Sequence, residues 1–164
     1  MSEHGSKLLI SERMISFVDL SRTLRELENL DDVLNQASLR SGGDKVQLPR
    51  TTQMLEDTAT INKLSLLNKD HRQSLISALR SFKIDPPLIH MSFTVEPSAA
   101  FVERMILWLR ANIREDILLD IGMQPTIVAG CVVRTKNKVF DMSLRNNLYE
   151  KREILVNYLG GSIE

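Results

Sequence analysis

The chain has 164 residues, 43% of them hydrophobic and 26% charged, which suits one ordinary or two small soluble domains with a packed core. Lys+Arg and Asp+Glu are both 21, twelve of each up to Asp85 and nine of each after it, so neither half has the basic excess through which nucleic-acid modules neutralise phosphate. Cys131 is the single cysteine and has no disulfide partner, the start lacks a signal-peptide pattern, and no uncharged apolar stretch approaches the roughly 20 residues of a bilayer span, so a reducing compartment is expected, with membrane association only through a partner.

Apolar residues recur at helical spacing over residues 6–37, through Ile10, Met14, Phe17, Leu20, Leu24, Leu27, Leu30, Val33, Leu34 and Ala37. This stripe predicts one long amphipathic helix or two, with Asn29, Asp31 and Asp32 able to cap the second. Leu20, Leu24 and Leu27 are candidates for a partner-facing surface, weighed against core packing in a bundle, the commoner use of such a stripe. Residues 38–50 mix Gly42-Gly43, charges and Pro49 without periodicity and read as a loop, and the glycines lack the Gly-Lys-Ser/Thr of a phosphate loop. Thr51 or Thr52 then caps a segment bearing Met54, Leu55, Ala59 and Ile61. Asn68 caps another bearing Leu75, Ile76, Leu79 and Phe82.

Pro86-Pro87 removes two backbone donors and forces extended chain, so the helix ends before it. The pair marks a boundary between an all-helical domain over 1–85 and a small α/β domain over 86–164, an α+β fold overall. Ile89, Met91, Phe93 and Val95 alternate with polar residues as a strand. Pro97 fits the first turn of a helix striped by Val102, Met105, Ile106, Leu109 and Ile113, and Ile117, Leu119 and Ile121 alternate again. The crossover helix makes these two strands parallel. A hairpin follows, with a two-residue turn at Lys136-Asn137 that sets Val133 opposite Phe140 and Arg134 opposite Val139, Asn137 tolerating the positive φ of such turns. Asp141 or Ser143 caps a last helix striped by Leu144, Leu148, Leu155 and Leu159, completing a β-α-β, hairpin and helix domain on a mixed sheet.

Chemistry has little foothold in this pattern. His4, His71 and His90 are scattered, without a second His or Cys at ligand spacing, and no metal site or cofactor is expected. Cys131 beside Val132 and Val133 reads as a buried, inert thiol. Asp31-Asp32, Glu56-Asp57 and Glu115-Asp116 are sequence neighbours whose side chains diverge, which suits caps and solvated faces better than paired acid/base work. No catalytic residue is expected. Arg134, Lys136 and Lys138 form a small basic patch at the hairpin.

Residues 124–148 carry the most specific pattern. Pro125, the apolar pair Ile127 and Val128, Gly130, the hairpin residues Val132, Val133 and Arg134, and then Asp141, Ser143, Arg145 and Leu148 follow one another in an order that resembles the delta subunit of rotary F-type ATP synthases, the family of the oligomycin-sensitivity-conferring protein. The likeness covers residues 86–159. It departs at Gln124 for an acidic residue, Ala129 for a first Gly, Lys136-Asn137 for a Gly-Asp turn and Met142 for a Gly, and the family's longer helical bundle and early Tyr-Ala motif have no counterpart.

The resemblance implies a non-catalytic stator subunit at the cytoplasmic face of a bacterial plasma membrane, or a mature organellar protein. Its partners would be the N-terminal segments of the alpha subunits and the C-terminal ends of the b subunits. The signature residues are expected to shape the fold, not to bind. The alternative from a different class is a small α/β RNA- or ribosome-associated module, which the charge balance and the single aromatic on the first strand disfavour.

Overall fold

Ser16 and Asp19 set the start of the first helix. The Asp19 carboxylate accepts the Ser16 N–H at 2.9 Å and the Ser16 hydroxyl at 2.8 Å, while the Asp19 N–H donates to Ser16 Oγ at 3.2 Å. This reciprocal cap satisfies orphan amides. Helix α1 accordingly spans Phe17–Ser41 in the computed structural model, which describes residues 8–41, 49–127 and 129–144. Residues 8–16, expected within the helical stripe, are not helical, yet Ile10 and Met14 are buried. A turn of irregular chain has delivered them to the core at what looked like helical spacing. No break occurs at Asn29, Asp31 or Asp32, and the helix runs on into the expected 38–50 loop.

Thr52 caps α2 (Gln53–Ile61), and its N–H and hydroxyl both donate to Glu26 of α1, at 2.6 and 2.7 Å, which ties the cap to the longer helix. Asn68 caps α3 (Lys69–Ile84), its side chain accepting from Asp70 and His71 amides at 2.9 and 3.3 Å. The helix stops before the proline pair, as their missing donors require. α1 packs on α2 and α3, and Leu20, Leu24, Leu27, Leu30 and Leu34 on α1 are buried, as are Leu55 and Ala59 on α2 and Leu75, Ile76 and Leu79 on α3. The partner-facing reading of Leu20, Leu24 and Leu27 is thereby corrected: they are 0, 5 and 0% exposed and fill the core between helices of their own chain. One charged pair lies within this packing. Arg72 Nε donates to Asp31 Oδ1 at 2.7 Å and its Nη1 to the carbonyls of Leu66 and Leu67, both at 3.0 Å.

The chain divides into two compact units, Met1–Pro87 with Met105–Leu118, and Leu88–Arg104 with Leu119–Glu164. The cut at the proline pair is therefore joined by an exchange within the crossover helix, whose C-terminal half belongs to the first unit. After β1 (Leu88–Phe93), Ser98 rather than Pro97 caps α4 (Ala99–Asn112), accepting the Phe101 N–H at 3.3 Å, so Pro97 lies before the cap and not in the first turn. β2 is Leu118–Met123, β3 Cys131–Arg134 and β4 Val139–Asp141, in the sheet order β2-β1-β3-β4.

The sheet is mixed. Leu118 N–H bonds Pro87 O and Gln124 N–H bonds Phe93 O, and the constant offset means that β1 and β2 run in the same direction. β3 is antiparallel to both β1 and β4, with the expected pairs Val133↔Phe140 and Arg134↔Val139. The turn between them differs from expectation, because Lys63 is the one non-glycine residue with positive φ among the described residues. Asn137 is not left-handed. The Thr135 hydroxyl accepts the Lys138 N–H at 3.2 Å while the Thr135 N–H donates to Lys138 O at 2.8 Å, so a side chain closes the turn. These elements make an α+β fold, a helical region followed by a small mixed sheet. Among the described residues no helix is long and apolar enough to cross a membrane.

Candidate functional site

The segment with the most specific sequence pattern is built on backbone geometry. Gly130 has φ +93°, and a Cβ there would come inside van der Waals contact with the Met142 carbonyl oxygen and meet Ser143 Cα at 3.0 Å. Only glycine fits both conditions. The close approach lets Met142 N–H reach Cys131 O at 2.9 Å and Leu144 N–H reach Ala129 O at 2.8 Å, extending the pairing past the end of β4. Asp141 Oδ1 then accepts the Ser143 N–H at 2.9 Å, and Ser143 is buried. Ile127 is buried, with its carbonyl accepting the Thr94 hydroxyl at 2.6 Å, and Pro125 is exposed. Thus Ile127, Gly130, Asp141 and Ser143 act as fold-shaping residues, while Val128, Arg145 and Leu148 lie outside the described residues.

This segment edges an open groove of about 590 Å³ at the carboxyl end of β1. Ala129 and Gly130 form one side, and Val95, Phe101 and Arg104 the other. Phe93 and Phe101 meet edge to face at 6.0 Å between ring centroids. Val95 is solvent-exposed, because β1 ends at Phe93 and the expected alternation does not reach it. The groove is apolar with a cation at its margin, which suits holding a polypeptide better than performing a reaction.

A second constellation was missed by the sequence reading. His90 Nδ1 lies 2.8 Å from Asp120 Oδ2, and His90 Nε2 lies 3.1 Å from Ser92 Oγ. With Nδ1–H donating to Asp120, Nε2 is left to accept the Ser92 hydroxyl, the polarity of a nucleophile relay. Burial runs the wrong way for that use: Ser92 is 4% exposed, whereas the side chains of His90 and Asp120 are 35 and 55% exposed. A relay places its hydroxyl toward substrate and its carboxylate inside. Gly122 explains the arrangement, since a Cβ there would lie 3.0 Å from the His90 ring, which rests in the notch the glycine leaves. The chain Ser92, His90, Asp120 pins β1 to β2. The alternation of His90 with Ser92 was visible in sequence, but Asp120 joins them only once the parallel pairing is known.

Elsewhere the described residues contain no group of three or more His, Cys, Asp or Glu side chains that could hold a metal ion. Burial pushes the Cys131 thiol above its ordinary value, which leaves it protonated and a weak nucleophile. Arg110 donates to the carbonyls of Ser11, Glu12, Met14 and Ile117, and burial pushes its guanidinium below the ordinary value against the opposing pull of Glu12 and Asp116. It clasps the chain and presents little to a ligand. Compared with models of known families and with curated proteins, the chain matches none.

Proposed function

We propose that this protein is a non-catalytic stator subunit of a rotary F-type ATP synthase, held at the cytoplasmic face of a bacterial plasma membrane through its partners. The observation that carries the reading is the segment 124–148, whose order of Pro125, Ile127, Gly130, Asp141 and Ser143 resembles the delta-subunit signature. The geometry supports it in one respect: the signature glycine occupies a left-handed position against Met142 that no other residue fits. By resemblance, the helical region binds N-terminal segments of the alpha subunits and the α/β region holds the ends of the b subunits. The apolar groove beside Ala129 and Gly130 is the surface best suited to that second grip. A tether of this kind keeps the catalytic head from turning with the rotor, so that proton-driven torque is used in nucleotide synthesis. No reacting group is needed.

The test is co-purification from the native membrane. The alpha and b subunits are expected with the protein, and its deletion is expected to abolish proton-coupled ATP synthesis while the detached head still hydrolyses ATP. If the purified protein instead binds RNA with a steep salt dependence and ignores alpha-subunit N-terminal peptides, the stator reading is overturned in favour of an RNA-associated module.

A further inference from the structure

The two outermost strands of the sheet, β2 and β4, end it differently. β4 follows directly on Lys136 and Lys138, charges of the kind that keep an edge from pairing with another chain. β2 has no such guard. The N–H groups of Leu118 and Gln124 bond the carbonyls of Pro87 and Phe93. In this parallel pair the even-numbered residues of β2 therefore turn their main chain to β1, and Leu119, Ile121 and Met123 turn theirs outward. Among the described residues, none bonds the outward N–H or carbonyl of Ile121 or Met123. Leu119 is 1% exposed, so the edge is covered there, whereas Met123 is 65% exposed and Ile121 and Gly122 are half-buried. This open stretch has no proline and no lysine, and the neighbouring charge of Asp120 is drawn to His90, 2.8 Å away on the face of the sheet.

An outward row of N–H and carbonyl groups at strand spacing is satisfied by another extended main chain. The edge is complementary to itself in a single register. Two copies related by a two-fold axis pair antiparallel, and only their outward-facing residues can exchange bonds. A seam centred on Ile121 needs the covered edge of Leu119, and one centred on Met123 sets Ile121 opposite Pro125, which has no N–H. The seam centred on Gly122 remains. It sets Ile121 opposite Met123 of the second copy on one face of the sheet, and Asp120 opposite Gln124 on the other, with no like charges opposed. Gly122 meets its own equivalent at the closest pair, where the missing Cβ lets the strands lie together. Lys+Arg and Asp+Glu are both 21, so long-range repulsion does not oppose association of the two copies. We infer that the β2 edges of two copies pair antiparallel about Gly122 and join their four-stranded sheets into one. Neither Ile121 nor Met123 belongs to the signature or its groove, so the seam is independent of the stator reading.

A seam this short is weak, so sedimentation equilibrium is run on the full chain from about 10 µM to about 1 mM, the range in which small interfaces assemble. A monomer–dimer equilibrium is expected. Exchange protection of the Ile121 and Met123 amides should rise with concentration, while that of Asp120 and Gly122, which bond β1, stays constant. Met123→Pro removes a seam donor without touching a bond to β1, and should weaken the dimer by roughly tenfold or more in a chain that keeps its circular dichroism. The register is read at Gln124. Gln124→Lys, opposite Asp120 of the second copy, should tighten the dimer at low salt and Gln124→Asp should loosen it, each by roughly threefold to tenfold. These two variants decide the matter if the proline unfolds the sheet. Val139→Pro, on the lysine-flanked edge, should change nothing. A monomer at every concentration overturns the inference, and so does a dimer that survives Met123→Pro, one that Val139→Pro dissolves, or an equal response to the two Gln124 variants. Concentration-independent protection of Ile121 and Met123 also overturns it, since the edge would then be covered by its own chain.

Discussion

The two units are specified by different means. In the first, order comes from side-chain volume: leucines from α1, α2 and α3 fill the interior, and the buried charged pair of Asp31 with Arg72 is satisfied by Gln73 at 2.5 Å, Asn35 at 3.0 Å and two backbone carbonyls. In the second, order comes from backbone approach: Gly130 admits the Met142 carbonyl, Gly122 admits the His90 ring, and Thr94 reaches a main-chain oxygen. The contrast teaches where each unit is fragile. Loss of a side chain threatens the first, and gain of a Cβ threatens the second.

The largest effect is expected at the buried pair. Asp31→Ala leaves Arg72, 3% exposed, with an uncompensated charge, and should cost about 3–5 kcal/mol in denaturant unfolding. Replacing both residues together by apolar ones should recover much of that loss, since the unpaired charge and not the missing bond dominates it. Little or no penalty for Asp31→Ala would mean that packing alone orders the first unit. Next in size is Leu27→Ala, fully buried on α1, at about 2–5 kcal/mol, measured against Leu39→Ala on the same helix, which is 85% exposed and should stay within about 0.5 kcal/mol. Similar losses at the two sites would restore a partner-facing role to the stripe.

The second unit is probed by addition. Gly130→Ala forces a left-handed φ on a residue with a Cβ and displaces the Met142 carbonyl, at about 1–3 kcal/mol for the backbone conformation alone. The readout that separates this from a general loss of stability is amide exchange. Protection of Met142 and Leu144, whose N–H groups bond Cys131 and Ala129, should fall before that of β1. Uniform loss across the sheet would make the glycine a core residue like those of the first unit.

Much of this was legible in the chain. Asn68 and Thr52 were readable as caps because their side-chain oxygens act on amides two or three residues away, and the pairing of Val133 with Phe140 followed from turn length alone. Three features were not, each for a physical reason. Residues 8–16 mimic helical spacing because buried irregular chain has no period of its own. Asp31 looked like a cap because its partner, Arg72, lies on another helix. The His90, Asp120 and Ser92 chain depends on parallel strand pairing, which local pattern does not encode. At Gly130 the demand for glycine is steric and local, because a Cβ there would run into the Met142 carbonyl.

The smallest expected effect concerns Cys131, and its sign tests whether the second unit shields anything at all. Burial holds the thiol proton in the folded state above its ordinary value, so the folded protein binds that proton at pH values where the unfolded chain has released it. The resulting stability is fully present below the ordinary thiol value of about 8.5 and is lost as pH rises through the folded one. Unfolding measured from about pH 8 to 10 should therefore show wild type losing stability relative to Cys131→Ala, the difference growing with pH. Because Cys131 is only partly buried, the change is small and alkylation offers the sharper view. Iodoacetamide should react more slowly with the folded protein than with the unfolded chain at the same pH, since the thiolate is the nucleophile. Equal rates would mean that β3 opens to solvent on the timescale of the reaction, and that backbone register holds the second unit less firmly than side-chain volume holds the first.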